Sequence, residues 1–384
     1  MTRLGVVLSA VLLMLGLMPT SLKAQASAAA PAPEPKKAEE VFKNIQVLKG
    51  VPANQIFPAM QFISASLGVR CEYCHVERQF DKDDKEHKKV ARKMMTMMFA
   101  VNKDNFDGRP EVTCNSCHHG AAEPAGVPEI AAAMPGPQPA HEEHEVGGES
   151  HGGGMQAGGV MAAMPNAQQV LEKYVQAVGG EDAMNKVTSR VEKGSLSGFG
   201  PPSPVEIYAK APDKRVSIVH TQRGDMFTAF DGQTGWMTGF DGHNHDMEGA
   251  DVYAARLDGD FQLFTDAPKV FKQVRMGRPE KVGDKDAWVL LGITPGEPPV
   301  KLYFDKDSGL LLRQVRYAQT PVGRFPTQVD YADFREANGV KIPYQWMIAR
   351  PGNSFTIKVD SVQQNVPVDD SKFARPAEQK PAGQ

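Results

Sequence analysis

Two pentapeptides carry the chemistry that this sequence offers: Cys71-Glu72-Tyr73-Cys74-His75 and Cys114-Asn115-Ser116-Cys117-His118. Both read Cys-x-x-Cys-His, the spacing at which a c-type haem is attached. The two thiols add across the haem vinyl groups, and the adjacent histidine becomes the proximal iron ligand. Together the motifs use all 4 cysteines of the 384-residue chain. A zinc ion held by the four thiols would leave both histidines without a role, and the pairs lie too far apart for a zinc ribbon. Two disulfides would leave the histidines equally unexplained. Neither motif follows a buried strand, as a thioredoxin-like pair would.

An electron-transfer haem also needs a second axial ligand, so the elements ahead of each motif matter. Ile56, Met60, Ile63 and Leu67 recur at helical spacing, with Pro58 in the first turn and Gly68 as the stop. A second helix is expected from about Lys85 to Asn102, its acidic lead-in (Asp81, Asp83, Asp84, Glu86) suiting the positive end of the helix dipole. Its expected apolar face is Val90, Met94, Met97 and Val101. Met60 and Met94 are thus candidate ligands. Core packing accounts for a helical methionine equally well, with Met95, Met97 and Met98 crowding the second helix, and His87 and His119 are rival ligands.

The segment from Val41 to Gly120 resembles the cytochrome c subunit of photosynthetic reaction centres. The residues that carry the resemblance are Ile-Phe-Pro-Ala-Met at 56–60, Cys-Glu-Tyr-Cys-His at 71–75, Val-Ala-Arg-Lys-Met-Met-Thr-Met at 90–97 and Val-Thr-Cys-Asn-Ser-Cys-His at 112–118. In that family a helix bearing the distal methionine precedes each attachment motif. The resemblance therefore implies two covalently bound haems c, with Cys71, Cys74, Cys114 and Cys117 as attachment points. It implies His75 and His118 as proximal ligands, and Met60 and Met94 as distal ligands. The family typically carries four haems; this chain has motifs for two, a dihaem version.

The flanks set the organisation. Residues 1–26 read as a secretory signal: Arg3, an apolar run from Leu4 to Met18, then Ala24-Gln25-Ala26 as a cleavage site. The expected product is exported or periplasmic and soluble after cleavage. Residues 27–38 are an Ala/Pro/Lys tether and 39–120 a small, mainly helical dihaem domain. Residues 121–165 are a Gly/Pro/His-rich linker, lacking apolar residues to bury an interface, so the halves are expected to fold apart. Its His141, His144 and His151 are expected to be solvated. A net charge of −3 argues against nucleic-acid binding and against a polybasic membrane patch.

Residues 166–376 change to period two after an opening helix capped by Asn166 and ended by Gly179-Gly180, and 377–384 are an unstructured tail. Alternation at 205–210, 301–304 and 355–360 predicts an antiparallel curved sheet or open barrel with a helix across it and no useful helix between the strands. Turn signals fall at Asp231-Gly232, Gly283-Asp284, Asp305 to Gly309 and Asn338-Gly339. This half resembles the periplasmic lipoprotein-carrier and receptor fold, through Ala-Pro-Asp-Lys-Arg at 211–215, Phe-Asp-Gly-Gln-Thr-Gly-Trp at 230–236 and Tyr-Phe-Asp-Lys-Asp-Ser-Gly-Leu at 303–310. That resemblance implies a cavity for a lipophile such as an acyl chain or quinone. His220, His243 and His245 sit among turn residues and are expected at the surface. The leading expectation is an electron carrier for redox protein partners and not an enzyme. The alternatives are a dihaem peroxidase-like enzyme and a lipophile-binding protein with accessory haems.

Overall fold

The computed structural model of the protein describes residues 35–124, 164–198, 200–239, 243–265 and 267–375. The expected signal, most of the tether, the three linker histidines and the 377–384 tail lie outside the described residues.

The motif-bearing segment holds helices α1 (Ala38–Val41), α2 (Ile56–Leu67), α3 (Glu86–Asn105) and α4 (Cys114–His118), with a 3-10 turn at Cys71–Tyr73. Its structure begins slightly ahead of residue 39: Lys37 bridges to Pro52, and Ala38 is fully buried. Helix α2 ends at Gly68 in the left-handed conformation (φ 64°), as its sequence predicts. A Cβ on Gly68 would overlap the Gly120 carbonyl oxygen, and the Gly120 N–H donates to the Ser66 carbonyl at 2.8 Å. The exit of the second motif is thereby tied to the end of the helix that precedes the first.

Helix α3 departs from expectation in its rotation. Met94 and Met97 point outward, 47% and 56% exposed, while Met95 and Met98 are buried. Methionines at 94, 95, 97 and 98 satisfy two faces at once, so apolar spacing does not choose between them. Buried Lys88 and Asn102 do, because each reaches backbone carbonyls outside the helix.

The second half opens with α5 (Ala167–Ala177) and α6 (Glu181–Asn185). Asn166 caps α5 by accepting the Gln169 N–H at 2.9 Å, as expected. Six strands follow: β1 (Ser189–Ser197), β2 (Ser203–Lys210), β3 (Lys214–Thr221), β4 (Gly224–Phe230), β5 (Gly235–Thr238) and β6 (Asn244–Asp246). Helices α7 (Ala250–Gly259) and α8 (Ala267–Val270) come next. The chain continues through β7 (Gln273–Met276), β8 (Glu280–Val282), β9 (Lys285–Ile293) and β10 (Val300–Asp305). It ends with β11 (Leu311–Thr320), β12 (Gly323–Ala337), β13 (Val340–Arg350) and β14 (Asn353–Gln364). These form one open, curved antiparallel sheet in the order β6-β5-β4-β3-β2-β1-β14-β13-β12-β11-β10-β9-β7, with β8 on β9. All four expected turns separate neighbouring strands.

Helix α7 corrects the expectation that no useful helix interrupts the strands. Its mixed sequence hides a single buried side chain of size, Leu257, and it is held by polar contacts from the sheet. Arg316 on β11 donates to the Ala254 carbonyl (3.0 Å) and to Asp258 (2.6 Å). Helix α5 packs Val170, Leu171 and Tyr174 against Leu290, Leu302 and Phe304, the Tyr174 ring standing edge-on to Phe304 at 5.4 Å.

The two halves touch. Val322, at the tip of the β11–β12 hairpin, is fully buried in the same apolar cluster as Leu48, Ile56, Ala59, Met95 and Met98. Next to it Gly323 (φ 141°) lies so close to α2 that a Cβ would stand 2.8 Å from the Phe62 ring. The expectation that the halves share no apolar interface does not hold at this hairpin.

Candidate haem-attachment sites

Each motif histidine is oriented the same way. His75 Nδ1 lies 3.1 Å from the Phe80 carbonyl oxygen, and His118 Nδ1 lies 2.9 Å from that of Ala121. A carbonyl can only accept, so each Nδ1 carries the proton, and Nε2 keeps its lone pair for an iron. Burial holds His75 below the usual imidazole range, which favours the neutral form that metal ligation needs. Burial likewise pushes the Cys74 and Cys114 thiols up. Cys71 and Cys117 are exposed, and the four cysteines form no disulfide with one another.

The first site is braced from α3. Lys88 Nζ donates to the carbonyls of Phe80 (2.9 Å) and Lys82 (2.6 Å), so the group that orients His75 is itself held. Lys88 and Arg92 both pair with Asp83, at 2.9 Å each. Lys85 Nζ donates to the Glu72 carbonyl inside the motif, and His87 stacks on Tyr73 with ring centroids 4.0 Å apart. The hydrogen bond from Arg92, then that from Lys88, holds the Asp83 carboxyl well below the usual range. A carboxylate whose pKa is lowered by folding stabilises the fold above its unfolded value, and that gain is lost only as pH falls through the lowered one. Asp83→Asn is therefore expected to lower the melting temperature at neutral pH. The gap from wild type should close only in acid below about pH 4.

The second site is braced by Asn102, also on α3 and 4% exposed. Its side chain accepts the Val112 N–H (2.9 Å) and donates to the Val112 carbonyl (2.7 Å), fixing the chain two residues before Cys114. The Thr113 N–H donates to Ser116 Oγ at 3.0 Å, which sets the start of α4. Asn102→Ala leaves both Val112 groups unpaired and is expected to cost about 1–3 kcal/mol, read as a lowered melting temperature. Sequence reasoning missed Lys88 and Asn102: a polar residue in a helical pattern reads as solvent-facing until its long-range partner is seen.

Met60 lines a cavity of about 2050 Å³ together with Cys71, Cys74 and His75. Apolar walls, two thiols, an oriented imidazole and a thioether are a donor set that fits a covalently attached haem. Met94 is not in that cavity; it stands on the outward stripe of α3 with Val90 and Met97. His220 bonds Asp225 (2.8 Å) at the surface. Among the described residues no group of three or more metal-ligating His, Cys, Asp or Glu side chains comes together.

Comparison with known proteins points the same way. Cytochrome c-554 of Chloroflexus aurantiacus is 39% identical over 85 residues, 20% of this chain and 20% of that protein. The photosynthetic reaction center cytochrome c subunit of Thermochromatium tepidum is 34% identical over 92 residues, 23% of each. The chain thus spans only about a fifth of the length of these curated relatives. A solved LolA superfamily protein from Nitrosomonas europaea is 14% identical with a TM-score of 0.39, covering 55% of this chain and 99% of that one. A DUF1329 family protein from Desulfovibrio piger is 14% identical with a TM-score of 0.37, covering 54% and 96%. Residues 17–192, which include both attachment motifs, match the family of the photosynthetic reaction centre cytochrome c subunit, and this part of the chain is cytochrome c-like.

Proposed function

We propose that residues 35–124 hold two haems c and that the protein carries single electrons between redox proteins on the exported, periplasmic side of a membrane. The observation that carries this reading is the matched pair of histidines, each with Nδ1 on a backbone carbonyl. The haem supplies reversible one-electron exchange at iron; the protein supplies ligands, burial and access. Cys71 and Cys117 are exposed, so each would fix a haem edge at the surface, where a partner can approach. Lys88 and Asn102 keep the motif backbones rigid, and rigid ligation keeps the cost of changing oxidation state small. No side chain has to move a proton.

The distal positions are part of the proposal. Met60 on α2, which lines the same cavity as His75, would serve as the second ligand to an iron held by His75. Met94, 47% exposed on the outward stripe of α3, would serve as the second ligand to an iron held by His118. The test is expression of the full chain with haem-attachment machinery, followed by intact mass, an alkaline pyridine haemochrome spectrum and a redox titration. Two covalent haems with two one-electron waves are expected. Apo-protein under those conditions, or a haem released by acid acetone, overturns the reading.

A further inference from the structure

The two attachment motifs share one hydrogen bond and differ in what lies behind it. At each, the histidine gives its Nδ1 proton to a backbone carbonyl, that of Phe80 for His75 and that of Ala121 for His118. Behind the Phe80 carbonyl stands an ammonium group. Lys88 Nζ donates to that same oxygen at 2.9 Å and to the Lys82 carbonyl at 2.6 Å. Among the described residues no side chain donates to the Ala121 carbonyl. Bracing alone does not call for a charge here. At the second motif the neutral amide of Asn102, on the same helix, holds the chain through Val112. A buried ammonium is the costlier way to do that work.

What the charge adds is electronic. The Phe80 oxygen serves two donors, one of them a cation, and the ammonium draws its electron density away from His75. An Nδ1–H that is held less strongly leaves the imidazole less basic at Nε2. Ferric iron, the more electron-poor state, loses more by this than ferrous iron does. Charge through space acts in the same sense. Lys88 is 8% exposed, so water screens it little. Lys88, Arg92 and Lys85 all disfavour added positive charge on the His75 ring. The acid bonded into this group is Asp83, at 2.9 Å from both Lys88 and Arg92, with Gln46 a third donor at 3.5 Å. Glu86 pairs outward with Lys89, and the remaining charges nearby, Glu72, Glu77, Arg78, Asp81 and Asp84, are exposed to water. Three cations on one carboxylate leave the partly buried group net positive.

We propose that Lys88 is a positioning residue that sets the redox balance between the two sites. By holding a buried positive charge on the carbonyl that orients His75, it makes the haem attached at Cys71 and Cys74 the higher in potential of the two. An electron entering the protein at either site therefore comes to rest at the first motif. The inference rests on the electron-carrier reading and gives that reading a direction.

The test is a redox titration of the full-length haem-loaded protein and two variants. Lys88→Met keeps the length of the side chain and loses its charge. It should lower the higher of two one-electron waves by about tenfold in the reduction equilibrium, about 59 mV, and leave the lower wave in place. Asp83→Asn removes the negative charge and leaves Lys88 on its two carbonyls. It should raise the same wave, by about threefold because Asp83 is the more exposed partner. Mere loosening would admit water and lower that wave in both variants, so the opposite signs separate charge from bracing. In the diamagnetic ferrous protein the Nδ1 proton of His75 should move downfield in Lys88→Met as its hydrogen bond strengthens, with that of His118 unmoved. A single merged wave in the wild type, a shift of the lower wave instead, or two variants that move the higher wave the same way overturns the proposal. If Lys88→Met fails to fold, Asp83→Asn decides: a rise confined to the higher wave upholds the proposal, and any other result overturns it. A chain without two covalent haems overturns the electron-carrier reading itself, a different result from two haems whose waves ignore Lys88.

Discussion

Met60→Ala is expected to remove about half of the methionine-to-iron charge-transfer absorption of the oxidised protein and to lower one of two midpoint potentials, leaving the other in place. Thioether sulfur is a neutral ligand that favours ferrous iron, so its loss lowers the potential. Axial ligation spans roughly 0.8 V across haem proteins, and a shift on the order of 0.1 V is a modest share of that. Met60 lines one cavity with His75, Cys71 and Cys74, and is partly buried on α2. Met94→Ala is expected to remove the other half and shift the other potential. Met97 lies close along the same outward stripe of α3. If Met97→Ala removes that half and Met94→Ala does not, the ligand sits further along the helix; if Met60→Ala changes neither band nor potential, the proposed pairing with His75 is wrong.

The second large effect is expected at the hairpin tip. Val322→Asp places an unpaired charge in a fully buried position among Ile56, Ala59 and Met95. An unanswered buried charge belongs to the short list of changes that cost on the order of 3–4 kcal/mol. Unfolding followed in the haem absorption band should therefore occur at markedly lower denaturant in the variant. A fragment ending at residue 124 lacks the hairpin altogether and should self-associate through the uncovered apolar surface of α2 and α3. Unchanged denaturation of Val322→Asp, or a fragment that stays monomeric with wild-type stability, would show that the hairpin adds nothing to the helical segment.

The parts of this protein that were legible in its sequence are those written in local chemistry. Cys-x-x-Cys-His names its own cofactor, Gly68 marks a helix end because its φ is positive, and Asn166 caps because its side chain reaches its own first turn. The rest depends on partners far along the chain. Four methionines on α3 offered two equally apolar faces, and the choice fell to Asn102 and Lys88, whose partners lie in loops. Helix α7 has a weak apolar stripe and is held largely by Arg316 from the sheet. Arg190 and Glu192 alternate with Val191 as an outward polar face would, yet they point into the cavity. Nothing local says that Val322, in a turn rich in Thr, Pro and Gly, ends inside another core.

The pairing of β1 with β14 sets a timetable. Arg190 lies opposite Gln364, so one wall of the cavity needs β14, the last strand among the described residues. Synthesis runs from the N-terminus, and elements fold as they emerge. Both Cys-x-x-Cys-His motifs therefore appear, with their thiols reachable, long before the sheet can close or the hairpin can dock. Were haem attached at both motifs as proposed, attachment would come early and closure late, and the attachment machinery would not have to open a finished protein.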